Sequence, residues 1–268
     1  VGADAARELW ILAEAAKDTT VDADGDGVPE TWGFIWEQII RIYQLQPMPL
    51  SLGGEAIGPD GLTVRGVIDA DPWIDAFTYY SKAFNDWKIA PQGEVGWPSD
   101  TLFRAGKLAF EVAGSWNVPQ NYELEFEWGV SRHPYFDGGE VVTPTGSWHI
   151  GINSTSANAE DAAKFVHWNA IAEGSEHTWR VAFQDMPAQI SVLEKWATEP
   201  EFDTRPQYFN RIAADEATVN PQARPVTPGY LEYEEILGDT FEDIRNGADV
   251  SIALGTAVDR IEAEMTKY

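Results

Sequence analysis

The sequence predicts an α/β fold with a helical tail, and three observations predict it. Short apolar runs bounded by turn residues alternate with helix-period patterns through the first half of the chain. The last hundred or so residues keep almost only the helical period. Hydrophobic residues make up 44% and aromatics 12% of 268 residues, enough to fill the core of one large domain or two ordinary ones.

The elements follow in order. Leu9, Leu12, Ala13 and Ala16 repeat on one helix face, so a helix is expected over residues 3–17. An Asp/Gly-rich loop leads into a strand at 31–35. Trp36, Ile39, Ile40 and Tyr43 then mark a second helix, which Pro47 and Pro49 should stop. Glycine, proline and aspartate between residues 51 and 66 indicate a hairpin or surface loop. Asp71 is expected to cap a helix with Pro72 at its first position, Trp73, Phe77, Tyr80, Phe84 and Trp87 lining one face. A short helix at 99–105 ends at Gly106, and 108–113 reads as a buried strand. Further strands are expected at 128–132 and 148–152, and a helix capped by Asn158. Helices at 191–196, 206–214, 230–245 and 250–267 complete the chain.

Charge excludes some functions. With 18 basic against 44 acidic residues the net charge is -26. Such a field repels phosphate backbones and anionic membrane surfaces, so nucleic acid is not an expected partner. An acidic surface is also what keeps a protein soluble in salt, where screening weakens self-repulsion. No cysteine is present, which removes disulfides, thiolate nucleophiles and zinc–sulfur sites. No charged-then-apolar leader opens the chain, so any export signal is expected to have been removed or to lie upstream.

Motifs for catalysis are thin. There is no nucleophile elbow, phosphate-cradling loop or zinc-binding histidine pair, and His133, His149, His167 and His177 are scattered. Acid pairs such as Glu234/Glu235 arise by chance among so many carboxylates. The segment from Asp22 to Glu30 places Asp22, Asp24 and Asp26 at alternate positions before glycine, like the front half of a calcium loop. The twelfth position is Gly33, where a bidentate acid should stand. The plainer reading is therefore a turn whose carboxylates cap backbone amides, with a structural calcium ion at Asp22–Asp26 as the alternative. The second signal is aromatic. Trp36-Glu37, Trp116-Asn117, Trp148-His149 and Tyr230/Tyr233 lie at strand or loop ends or where a helix begins, the places where α/β folds hold ligands. Flat rings beside carboxylates and amides suit an uncharged polyol: the ring meets C–H faces and the polar groups pair with hydroxyls.

Three stretches, in this order, resemble the extracellular solute-binding proteins of carbohydrate ABC importers, the group that includes maltose-binding protein. They are the Ala6-Arg7-Glu8-Leu9 helix followed by Asp22 to Phe34, then Phe103-Arg104-Ala105-Gly106-Lys107-Leu108-Ala109-Phe110 running into Gly114-Ser115-Trp116, then Gly146-Ser147-Trp148-His149-Ile150-Gly151-Ile152 with the Ala162-Ala163-Lys164-Phe165-Val166 helix. Asp185-Met186-Pro187-Ala188 is a weaker fourth, its family glycine replaced. The resemblance implies a periplasmic-binding-protein-like two-lobed fold (type II) with the N-terminal lobe incomplete in this chain. Residues 1–142 and 219–268 would form the second lobe, and 143–218 a remnant of the first. It implies non-catalytic binding of a mono- or oligosaccharide, delivered by hinge closure to the membrane permease subunits of an ABC importer. It also implies a monomer, without cofactor, in the periplasm or outside the cell, free or lipoprotein-tethered. Carried onto this chain, the ligand residues would be Trp36, Glu37, Trp116 as the main stacking plate, Tyr230 and Tyr233. Trp148 would lie at a crossover, touching ligand or packing the hinge. Two other readings stand beside this one: a secreted acidic glycoside-active enzyme, and a calcium-stabilised adhesion module.

Overall fold

A computed structural model describes residues 8–92, 98–146 and 148–268. The chain forms two compact units. The first holds Val1–Ala113, His133–Thr145 and Val219–Tyr268, and the second Gly114–Arg132 and Gly146–Thr218. The expected division placed 114–132 with the first of these and 143–145 with the second. Local chemistry accounts for both differences. Tyr122 accepts a hydrogen bond from Asn210 at 2.9 Å, and the Trp128 ring sits 4.5 Å from that of Phe209. Thr143–Pro144 pairs in parallel with Pro221–Gln222.

In the first unit, α1 (Leu9–Thr19) packs on β1 (Trp32–Trp36). The two approach so closely that a Cβ on Gly33 would stand 2.0 Å from the Ala16 carbonyl oxygen, which is why glycine occupies that position. Residues 3–7 of the expected first helix lie outside the described residues. β1 runs one residue further than expected, and a turn at 37–40 replaces the expected helix start. Two short helices follow, α2 (Ile42–Leu45) and α3 (Pro47–Ser51). The prolines open α3 instead of ending a helix, because the first-turn amides of a helix have no partner within it. Residues 51–66 form turns and no hairpin.

The long α4 (Asp71–Asn85) has Ala70 at its cap and Asp71 in its first turn, so Asp71 is not the cap. The backbone after it lies along β1, the amides of Gly33 and Phe34 both donating to the Ile89 carbonyl at 3.0 Å. Then α5 (Pro98–Arg104) leads to β2 (Leu108–Val112), which pairs in parallel with β1 in the register Trp32↔Leu108 to Trp36↔Val112.

The second unit contains α6 (Asn117–Gln120), α7 (Ala159–Ala170), α8 (Ala172–Ser175), a π-helical stretch Glu176–Phe183, α9 (Ile190–Thr198), a 3-10 turn Pro200–Asp203 and α10 (Tyr208–Val219). The expected strands at 128–132 and 148–152 are irregular among the described residues, and Ser147 lies outside them. Its buried hydrophobic cluster is small: Trp196, Phe202 and Ala214, with Met186 and Leu193 against it.

Back in the first unit, β3 (Thr143–Pro144) pairs with β4 (Pro221–Gln222), and α11 (Tyr230–Arg245) and α12 (Val250–Met265) close the core. Asp249 caps α12, accepting the Ile252 amide at 2.9 Å. Phe241 of α11 stacks on Phe77 of α4 at 4.5 Å, and Trp73, Tyr79, Tyr80 and Phe84 are fully buried around them.

Candidate functional site

The first unit gathers its polar chemistry where β1 ends and α11 begins. A parallel strand leaves its last residues at a sheet edge, and a helix start presents unpaired amides, so α/β folds place ligands there. Glu37 follows β1 directly. It is fully buried, its amide donates to Val112 at 2.9 Å, and its Oε2 accepts the Gln44 side-chain amide at 3.1 Å. Gln44 is buried as well, and its carbonyl accepts the Gln38 backbone amide at 2.8 Å.

Around this pair stands a half-exposed rim. The Arg224 guanidinium lies 4.4 Å from the Tyr43 ring centre. Tyr230, the first residue of α11, donates from its hydroxyl to Glu234 at 3.1 Å, and Arg41 meets the other Glu234 oxygen at 3.2 Å. Burial raises both phenols above the usual tyrosine range, with Glu37 adding to the rise of Tyr43 and Glu234 to that of Tyr230. Both stay neutral near pH 7 and can donate as well as accept. The rim thus offers two phenol rings, two guanidinium groups, carboxylates and an amide within one cluster, with Arg41 and Arg224 acting on both tyrosines.

Two predicted residues belong to the core instead. The Trp36 ring is 1% exposed and packs on Phe34 at 4.5 Å and Tyr80 at 5.2 Å. It follows Phe34 and Ile35 into the interior because β1 is covered on both sides. Tyr233 lies one position off the rim on α11, is fully buried, and donates to the Ala56 carbonyl at 2.6 Å. Neither offers a free ring face. Trp116 and Trp148 belong to the second unit. Trp116 is half-buried and caps α6, with its ring folded back over Gly114, whose absent Cβ would stand 2.2 Å from it. Trp148 is 83% exposed.

Beneath the edge, Glu111 of β2 is largely buried and pushed up to about 7. Desolvation is the main cause, and Glu37 and Asp100 add to it while Ser99 acts against it. One oxygen each of Glu111 and Asp100 is buried without a hydrogen-bond partner.

The Asp/Gly loop folds as a run of turns. Asp22 accepts the amides of Gly25 and Gly27 at 2.7 and 2.9 Å, Asp24 that of Asp26, Asp26 that of Val28, and Glu30 that of Ala23. The carboxylates that draw together are Asp22, Asp24 and Glu30, with Glu30 in the place expected for Asp26. The Asp26 carboxylate accepts the Val28 amide at 2.8 Å and is not among the three that cluster.

The sequence marks none of Arg41, Gln44 or Arg224; Tyr43 falls on a predicted helix face, and Glu234 stands only in an acid pair of a kind that arises by chance. Glu37 is marked by its place directly after a strand, whereas its partner Gln44 carries no such signal.

The chain as a whole has the fold of two-lobed solute-binding proteins. Among solved structures, the maltose/maltodextrin-binding domain MalE from Bdellovibrio bacteriovorus bound to maltotriose matches at 20% identity with a TM-score of 0.76, covering 97% of this chain and 67% of that one. An ABC substrate-binding protein from Listeria monocytogenes in complex with cycloalternan matches at 21% and 0.78, covering 99% and 65%. An ABC transporter solute-binding protein from Thermotoga lettingae bound with alpha-D-tagatose matches at 17% and 0.77, covering 97% and 64%. The chain therefore spans about two thirds of the length of these proteins. The sequence model described as bacterial extracellular solute-binding protein matches residues 13–174, and the chain belongs to that family.

Proposed function

We propose that this chain binds an uncharged mono- or oligosaccharide outside the cytoplasmic membrane, leaves it chemically unchanged, and delivers it by hinge closure to the permease subunits of an ABC importer. The observation that carries the reading is the rim of Tyr43, Arg224, Tyr230, Glu234 and Arg41 over the buried Glu37–Gln44 pair. Phenol rings can meet sugar C–H faces, while carboxylate, guanidinium and amide groups pair with hydroxyls in both directions. The saccharides bound by the similar structures support the same class of ligand. On the second unit, Trp116 is proposed as a saccharide-stacking residue. The reading needs no cofactor. Among the described residues no helix is long and apolar enough to cross a membrane.

A glycoside-active enzyme is the second reading, favoured by the raised carboxyl of Glu111 near Glu37, an acid–base-like pairing. Against it, Glu37 is fully buried and already held by Gln44. A thermal-shift screen over mono- and oligosaccharides, followed by chromatography of the recovered sugar, separates the two. A receptor raises the melting temperature and returns the sugar intact. Cleaved sugar would establish the enzyme, and a screen in which no saccharide raises the melting temperature would remove the receptor reading.

A further inference from the structure

On the first unit, α1, α4 and the loop at 136–137 enclose a groove of about 340 Å³ lined by Trp10, Asp75, Thr78, Lys82 and Asp137 over Tyr79 and Phe136. It shares no lining residue with the polar edge. Leu9 and Leu12 bury the inner face of α1, which leaves Trp10 pointing outward and 45% exposed. Its ring neighbours meet it at an angle: Tyr79 at 5.3 Å and 83°, Trp87 at 5.7 Å and 73°, Phe136 at 6.5 Å and 59°. These contacts still leave Trp10 exposed, so part of its indole is open to a ligand.

The walls are fixed. Tyr79 donates to the Leu9 carbonyl at 2.7 Å, and the Leu9 amide donates to Tyr135 at 2.8 Å. The Phe136 amide donates to the Ser51 hydroxyl at 3.0 Å, and the Glu140 amide to the Ser51 carbonyl at 2.9 Å. Asp75, Thr78 and Lys82 occupy the outward positions i, i+3 and i+7 of α4. Among the described residues, no hydrogen bond or ion pair engages the side chain of Asp75, Thr78, Lys82 or Asp137, and all four line the groove together with Trp10.

We propose that this groove is a second contact site for a saccharide ring. The indole would take the C–H face, Asp75 and Asp137 would accept hydroxyl protons, and Lys82 and Thr78 would donate. The volume is that of a small ligand site, at the lower end of the usual range. A fixed wall matters because a weak ligand cannot meet the cost of ordering its site.

The test uses the full chain labelled with 15N-tryptophan, the Trp10 indole signal being assigned with Trp10→Phe. Glucose, maltose and maltotriose are titrated in turn, with tetramethylammonium as a cationic control. A saturable shift of the Trp10 indole by a saccharide is expected in the wild type and equally in Tyr230→Ala, which separates this site from the edge. Asp75→Asn and Asp137→Asn should each weaken that binding about two- to tenfold, the effect of one lost hydrogen bond. A Trp10 signal that no saccharide moves, or that moves only while Tyr230 is intact, overturns the proposal. A shift by tetramethylammonium alone does so too, and would make the groove a cation cage.

Discussion

Replacing Glu111 by glutamine should leave stability unchanged near pH 4 and raise it near pH 8. The Glu111 carboxyl sits against Ser99, Asp100 and Glu37, and burial lifts it from its ordinary 4.5 to about 7. Below pH 4.5 the folded and unfolded chains both carry the proton. As pH rises from there toward 7 the unfolded chain releases it first, so the folded state loses stability across that window. At ~1.36 kcal/mol per unit, the loss amounts to about 3 kcal/mol at most. Glutamine keeps the shape and the neutral state at every pH, and its amide can donate toward the buried Asp100 oxygen that lacks a partner. Differential scanning calorimetry of both proteins from about pH 4 to 8 should show curves that diverge with pH and differ by roughly 5–10 °C at the alkaline end. The difference curve is needed because the -26 net charge gives the wild type its own pH dependence. Parallel curves would mean that Glu111 is ordinary and solvated. A variant less stable at pH 8 would mean that its charge is stabilising, and the account of the buried cluster would be wrong.

Other outcomes follow from the same structure. His133 has a buried Nε2 without a partner, and burial holds its ring down to about 4. Its contribution to stability is complete above pH 6.5 and is lost as pH falls toward 4, by up to about 3 kcal/mol, so His133→Phe should flatten the acid limb of the melting curve. Tyr233→Phe orphans the buried Ala56 carbonyl and should cost about 1–3 kcal/mol in urea unfolding while leaving saccharide affinity unchanged, since the ring is core. Lost affinity in a protein of normal stability would return Tyr233 to the site. Asp22→Ala frees two amides, so hydrogen exchange at Gly25 and Gly27 should quicken with or without calcium. A calcium-induced rise in melting temperature that this variant abolishes would assign a cation to the loop.

What the sequence disclosed depended on how local the cause was. The last two helices were readable because Ile236, Leu237, Phe241 and Ile244, and then Leu254, Ala257, Val258 and Ile261, repeat at the helical period and are buried accordingly. β1 and β2 were readable as short apolar runs ended by charge or glycine. The prolines of α3 misled because their effect depends on whether a helix ends or begins there. Residues 128–132 and 148–152 have apolar character without a ladder, and hydrophobicity alone cannot supply one. At the edge, Tyr230 and Glu37 were reached from their positions at a helix start and a strand end. Trp36 and Tyr233 were not separable from them, since a ring's exposure is set by what packs above it. Arg224 reaches Tyr43 only through tertiary folding, and no spacing announces such a pair.

Hydrogen exchange with and without the saccharide that most raises the melting temperature tests the central claim directly. Slower exchange concentrated at residues 37–44 and 224–234, lost in Arg224→Ala, is the predicted result. Saccharide binding that leaves both segments unprotected would contradict it.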